Sequence, residues 1–310
     1  MPSFSLQKTF GETLQKLGTK YKNFVVIDCD LNNSLNTLSF AKAFPERHIL
    51  LNFQENTAIE IANGLASKGK QVFVCSKSTH LLNSLDKIKN LISYPNLNIK
   101  LIGADSGLSP AEEGHTQHCL NDIASISPLP NFKIFSPADS IQTKLITEFL
   151  VQDFGPSYLR LPSLPCPEIY DPAKPTFNFS SPDTIKQGEE VCIFTTGPII
   201  IEVLKAATEL DKKGITTKVI NVSTISPLNN EQIEKLSEQS RLIITAEEHL
   251  RRGGLGSLIM ESLNERKPKK IHQFALESLG ESGRYPDLLK KYQLDSKGLY
   301  EQIKNLWFAL

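Results

Sequence analysis

No Cys-x-x-Cys pair occurs in this sequence. Its 5 cysteines (Cys29, Cys75, Cys119, Cys166 and Cys192) are odd in number and widely spaced. That pattern argues against a disulfide framework and suits reduced thiols in a cytosol. Net charge is missing too: 34 Lys and Arg stand against 34 Asp and Glu. Nothing in that balance draws the chain to nucleic acid or to an anionic membrane. No window approaches the roughly 20 apolar residues of a membrane-spanning helix. The opening MPSFSLQKTF has no basic stretch leading into an apolar run, so no secretory leader is expected. There is no internal repeat and no low-complexity tract. These absences leave a soluble, cytoplasmic protein as the expectation.

What is present is alternation. Leu6, Phe10, Leu14 and Leu17 recur at helical spacing, and FVVIDCD (24–30) follows as a buried strand. HILLNF, QVFVCS, NIKLIGA, FKIF and SYLRL read as further strands with helical stretches between them. Strand and helix in turn predict a mostly parallel sheet covered on both faces, the α/β class. Between Ser163 and Asp183 five prolines (Pro165, Pro167, Pro172, Pro175, Pro182) crowd a stretch without helical period, which reads as a linker over a surface. Beyond it EVCIFTTG, TKVINVS, RLIITAEE and IHQFALE restart the alternation. With 310 residues the chain is long for one core. The expected division is 1–165, a linker at 166–184, and 185–310.

Ligands of open parallel sheets bind beyond the carboxyl ends of the strands. HILLNF ends in Gln54-Glu55-Asn56, followed by a helix with Ala58, Ile61, Ala62 and Leu65 on its expected inner face. Glu55 therefore sits at a helix start, where a carboxylate either stabilises the helix or serves chemistry. Glu112, Glu113, His115, His118, Cys119 and Asp122 could suggest metal ligands, with His115 and His118 three residues apart. Only part of that segment has a helical pattern, and a polar loop before a helix is the commoner origin, so no metal is assigned. Arg251-Arg252-Gly253-Gly254-x-Gly256 could cradle a phosphate but reads as a packing turn.

The segment NFQENTAIEIANGLASKG resembles the transketolase family, where a glutamate precedes a helix ending in Ala-x-Gly-Leu-Ala. Phe10-Gly11, Asp28-x-Asp30-Leu31, Phe44-Pro45-Glu46-Arg47, Pro130-Asn131, Pro137-Ala138-Asp139 and Gly155-Pro156-x-Tyr158-Leu159-Arg160 fall in the family's order. Thr196-Gly197, Ile225-x-Pro227-Leu228, Glu247-Glu248-His249 and Gly253-Gly254-x-Gly256-Ser257 extend the likeness into the family's C-terminal domain. The resemblance implies a doubly wound pyrimidine-binding domain, then a smaller α/β C-terminal domain. It implies a thiamine diphosphate-dependent transferase of two-carbon ketol units. Glu55 falls on the glutamate that bonds the cofactor's aminopyrimidine and promotes its reactive carbanion.

No Gly-Asp-Gly occurs anywhere, the motif that holds the cofactor's diphosphate through Mg2+ in that family. The resemblance thus implies one subunit of a split enzyme. A second chain would carry that domain and hold thiamine diphosphate and Mg2+, with little binding by this chain alone. A homodimer through both domains is expected as well. Lys77 and His80 occupy the places of two aromatic residues, the first of which stacks on the pyrimidine, and Asn83 that of an arginine. Asp105 stands for a histidine, Glu113 for an aspartate, and Gln117-His118 for His-Gln. Ser163 takes the place of a phosphate-holding arginine. On the substrate side the expectation is Asp30, Asp105, Glu113, Gln117 and Arg160, with His118 as general acid–base. So altered a pocket leaves two alternatives: a catalytically inactive homologue acting as a binding or regulatory partner, or an enzyme for a non-phosphorylated substrate.

Overall fold

The computed structural model describes residues 2–30 and 34–310; Leu31 of the Asp28-x-Asp30-Leu31 motif lies outside them. In the first half the strands are β1 (Ser3–Phe4), β2 (Phe24–Asp28), β3 (His48–Leu50), β4 (Gln71–Lys77), β5 (Ile99–Ala104), β6 (Lys133–Phe135), β7 (Ser157–Leu161) and β8 (Cys166–Pro167). Then come β9 (Asp183–Lys186), β10 (Val191–Thr195), β11 (Thr217–Asn221), β12 (Thr224–Ser226), β13 (Leu242–Leu250) and β14 (Ile271–Leu276). A 7-stranded sheet runs β12-β6-β7-β5-β4-β2-β3 and a 5-stranded sheet β14-β13-β10-β11-β9. Within these two sheets pairing is parallel except at β12–β6 and β11–β9.

Such sheets form because their strands are apolar on both faces: all of β5 is buried, as are β7 and β10. One face of the first sheet packs on Leu6, Phe10 and Leu14 of the helix Leu6–Lys20 and on Ile146 and Leu150 of Ser140–Gln152. The other packs on Ala58, Ile59 and Ala62 of the helix Glu55–Ser67. That inner face is turned slightly from the expected one: Ile59 and Ala66 are buried, while Ile61 and Leu65 lie at its border.

The proline-rich stretch is fastened to the first half. Cys166–Pro167 pairs with Ser3–Phe4, and Asp139 Oδ2 accepts the N–H groups of Ile169 and Tyr170 at 2.8 and 2.9 Å. Strand β12 comes from the second half yet completes the first sheet, with Thr224 opposite Phe135 and Ser226 opposite Ile134. Among the described residues no helix is long and apolar enough to cross a membrane.

Candidate functional site

The carboxyl ends of β2, β3, β4 and β5 open on one rim, and the helix starting at Glu55 leaves from it. The chain reaches Glu55 through Asn52 (φ 27°) and Phe53 (φ 57°), conformations that non-glycine residues seldom adopt. The Phe53 N–H to Cys29 carbonyl bond, 2.9 Å, holds this turn against that strain. Glu55 is 9% exposed, Ser76 Oγ donates to its Oε1 at 2.7 Å, and His80 Nδ1 lies 3.5 Å from the same oxygen. Burial by itself would raise the pKa of this carboxyl. Hydrogen bonds from His80, Ser76 and its own N–H overcome burial and hold it below the usual range. It is an anion at neutral pH. The Phe53 ring meets the His80 imidazole edge-on at 5.9 Å.

A second group lies across the rim. Lys77 ends β4, and its Nζ is 3.0 Å from Glu113 Oε2, 3.3 Å from Asp105 Oδ2 and 3.3 Å from Gln117 Oε1. Asp105 stands at φ 58°, and Gln7 Nε2 donates to its Oδ1 at 2.9 Å. Burial works against the ammonium, but the bond to Glu113 and the charge of Asp105 outweigh it and raise the Lys77 pKa. Lys77 is therefore a cation with two carboxylate partners.

The structure thus brings Glu55 together with His80, and Lys77 together with Asp105, Glu113 and Gln117. Asp30 is bound up in its own turn: its Oδ2 accepts the Ser34 N–H at 2.8 Å. Asn83 is exposed at the end of the helix Ser78–Leu82, and the Ser163 N–H bonds Ser109 Oγ at 3.0 Å. His118 is buried; its Nε2 lies 3.0 Å from the Ala111 carbonyl, and its Nδ1 has no hydrogen-bond partner. Burial pushes its pKa down, so the ring is neutral.

Arg160 is committed elsewhere. Its Nε donates to Asp122 Oδ2 at 2.8 Å and its Nη2 to the Glu248 carbonyl at 2.7 Å, across the two halves of the chain. Tyr158 OH donates to the same Asp122 oxygen at 2.9 Å, and His249 Nε2 lies 3.8 Å from the other. Glu248 Oε1 accepts from Tyr285 OH at 2.6 Å, while Glu247 takes the N–H groups of Leu255 and Gly256 at 2.7 and 2.8 Å. The glycine-rich turn thus spends two of its donors on this chain's own carboxylate, and the Gly253 N–H on Ser257 Oγ. A Cβ at Gly254 would fall 2.3 Å from Glu247 Oε2, so only glycine fits. Burial raises Glu247 to about 7 and lowers His249 to about 4. Among the described residues no group of His, Cys, Asp and Glu could hold a metal ion.

Sequence reading missed Ser76 and Gln7. Ser76 precedes Lys77 at the end of β4, so the strand-end criterion that located Glu55 could have found it. Gln7 had no such signal: it lies in the first turn of an amphipathic helix, 98 residues from Asp105.

Residues 3–166 match the family model of the transketolase pyrimidine binding domain and residues 183–299 that of the transketolase C-terminal domain. An apulose-4-phosphate transketolase subunit of Phocaeicola vulgatus is 32% identical, over 94% of this chain and 94% of its own. The 6-deoxy-6-sulfo-D-fructose transketolase subunit SqwH of a Clostridium sp. is 29% identical, over 94% of this chain and 91% of its own. A solved structure described as a split gene transketolase, inactive beta4 tetramer, superimposes with a TM-score of 0.90 at 30% identity, over 97% of this chain and 98% of that one. Two domain models in series and relatives matched end to end lead to one conclusion: the chain belongs to the transketolase family.

Proposed function

We propose that this chain is the pyrimidine-side subunit of a split, thiamine diphosphate-dependent enzyme that transfers two-carbon ketol units. The observation that carries the reading is Glu55: a buried, ionised carboxylate at a strand end, oriented by Ser76 and His80. Such a group would accept a hydrogen bond from the ring nitrogen of a protonated aminopyrimidine, or, with the proton moved onto the carboxyl, donate one back to that nitrogen. When bound, thiamine diphosphate supplies a carbon nucleophile that accepts and passes on a two-carbon unit. The chain's own part is to exchange a proton at Glu55, to keep that carboxylate aimed, and to keep water from it. His80, flanked by Phe53, offers a flat face beside Glu55 that Lys77 lacks. Asp30, Asp105, Glu113 and Gln117 are proposed on the substrate side. Arg160 and His118 act in this reading through the segments they hold.

A diphosphate needs a cation or a cluster of donors, and with no Gly-Asp-Gly those would come from a second chain. Leu50, at the end of edge strand β3, and Phe53, in the turn that leads to Glu55, are 50% and 54% exposed and are the surface such a chain would cover. Without it the subunit would self-associate and stand idle; the split-gene relative is described as an inactive beta4 tetramer. The named substrates of the other two relatives, a phosphate and a sulfonate, are consistent with an anionic sugar derivative. One observation favours the competing reading of an inactive partner: Lys77 lies fastened among carboxylates where a neutral platform is expected.

The test is reconstitution with a chain that carries a Gly-Asp-Gly domain. Calorimetry with thiamine diphosphate and Mg2+ should show weak or no binding to this subunit and tight binding to the complex. In the complex Glu55→Gln should abolish ketol transfer yet leave the fold intact, since a helix-start carboxylate contributes only about 0.3–1 kcal/mol. Unchanged turnover would remove Glu55 from the mechanism, and a complex that binds no cofactor would hand the case to the inactive reading.

A further inference from the structure

We propose that the turn Gly280–Ser282 of the second domain is a positioning element for Lys77, acting through the loop between β5 and the helix Asp122–Ile126. The base of this loop is gripped by the second domain. Glu248 Oε2 accepts the Leu108 N–H at 3.3 Å, and the Leu250 N–H donates to the Leu120 carbonyl at 2.8 Å. The tip is gripped separately. Ser282 Oγ donates to the Glu112 carbonyl at 2.7 Å, and Gly114, at φ 77°, packs on Ser282. The His118 imidazole lies so close to Gly280 that a Cβ there would fall 2.1 Å from Nδ1. Its Nε2 meanwhile faces Ala111, which closes the tip upon itself together with the Gly114 carbonyl, acceptor for the Gln117 and His118 N–H groups.

This same tip carries Glu113 and Gln117, which reach Lys77 Nζ from the other side. Glu113 is half exposed at the end of the short turn Ala111–Glu113, and its carboxylate meets Lys77 from there. What fixes the loop is the second domain. Deleting the glycine's vacancy at position 280 would push His118 outward, shift the tip, and release Glu113 and Gln117 from the ammonium. Asp105, tied to Gln7, would remain. The second domain thereby sets how firmly, and where, a cation is presented at the rim beside Glu55. Its value for turnover rests on the function proposed above; the coupling itself does not.

The test reads the amine rather than catalysis, so its failure is separable from that of the proposed function. The full-length subunit is treated with an amine-acylating reagent, and the rate at each lysine is followed by mass spectrometry. Gly280→Ala should speed acylation of Lys77 about tenfold and Ser282→Ala by a few-fold, with amide exchange rising across 111–118 and not across β2 or β4. Lys133, in the same domain but remote from the turn, should keep its rate. Lys77 rates within about twofold of the parent in both variants would overturn the proposal, as would equal acceleration at Lys77 and Lys133. If Gly280→Ala does not fold, Ser282→Ala, which deletes one hydrogen bond, decides alone.

Discussion

Arg160 and Lys77 both hold carboxylates near the ends of strands in one sheet, yet their surroundings differ in kind. The side chains of Arg160 and Asp122 are 5% and 0% exposed, and the Arg160 fork is shared between Asp122 and a carbonyl of the second domain. Lys77 and Glu113 are 12% and 53% exposed, and their bond can open into water. A sealed ion pair whose one partner is removed leaves an uncompensated charge, whereas a rim pair falls back on solvent. So the sealed set, through the Glu248 carbonyl, joins the two halves of the chain, and the more open set faces the place where chemistry is proposed. Perturbed ionisation alone is therefore a poor guide to the active end of the chain: Glu247 and His249 depart further from ordinary behaviour than Glu55 does.

The sharpest way to break this contrast is to remove one member of each pair. Arg160→Met strands Asp122 and should cost about 3–5 kcal/mol in denaturant unfolding, or prevent folding. A loss below about 1 kcal/mol would show that the buried pair is not the fastener claimed here.

Acid and base should expose the second-largest effect. His249, at about 4 in the folded chain, contributes stability present above its unfolded value of about 6.5 and lost as pH falls to 4. Glu247, at about 7, contributes stability present below its unfolded value of about 4.5 and lost as pH rises to 7. The two slopes oppose one another from pH 4.5 to 6.5. Glu247→Gln should unmask a loss of roughly 3 kcal/mol on acidification from 6.5 to 4, and His249→Asn a similar loss on alkalinisation from 4.5 to 7. Parallel pH profiles for both variants and parent, by thermal or chemical melts, would contradict this.

Smaller still is Ser76→Ala, which deletes the donor to the Glu55 carboxylate. A hydrogen bond to a charged group is worth about 1.5–3 kcal/mol, and His80 remains to compensate. The loss should be about 1 kcal/mol, with the Glu55 carboxyl titrating higher by NMR. Glu113→Gln is the least: half exposed, it should change stability by no more than about 1 kcal/mol, which a denaturant melt measures.

Much of this architecture was legible beforehand because buried parallel strands announce themselves as apolar runs. SYLRL coincides with β7, and QVFVCS falls one residue short of β4. The strands that escaped notice, β1, β8, β9 and β12, are short pieces at sheet edges or in the proline-rich stretch, and their pairing depends on distant partners. The same division runs through the site. The place of Glu55 at a strand end and helix start was legible within one turn of chain, while the family resemblance, not that turn, pointed to chemistry there. The roles of Arg160 and His118 were not, because what surrounds them (Glu248, Gly280) arrives from about 90 to 160 residues further along, and no local pattern encodes such a meeting.

Strand β12 has a consequence for how the chain is made. The first sheet ends on β6 until Thr224–Ser226 arrives, and β6 is only three residues long. A nascent chain that has left the ribosome as far as the proline-rich stretch therefore presents an open edge, a template for a neighbour on the same messenger. Severing the gene between the halves would make that edge permanent, so the second half acts as a built-in cover that the first half acquires only once Thr224–Ser226 has been made.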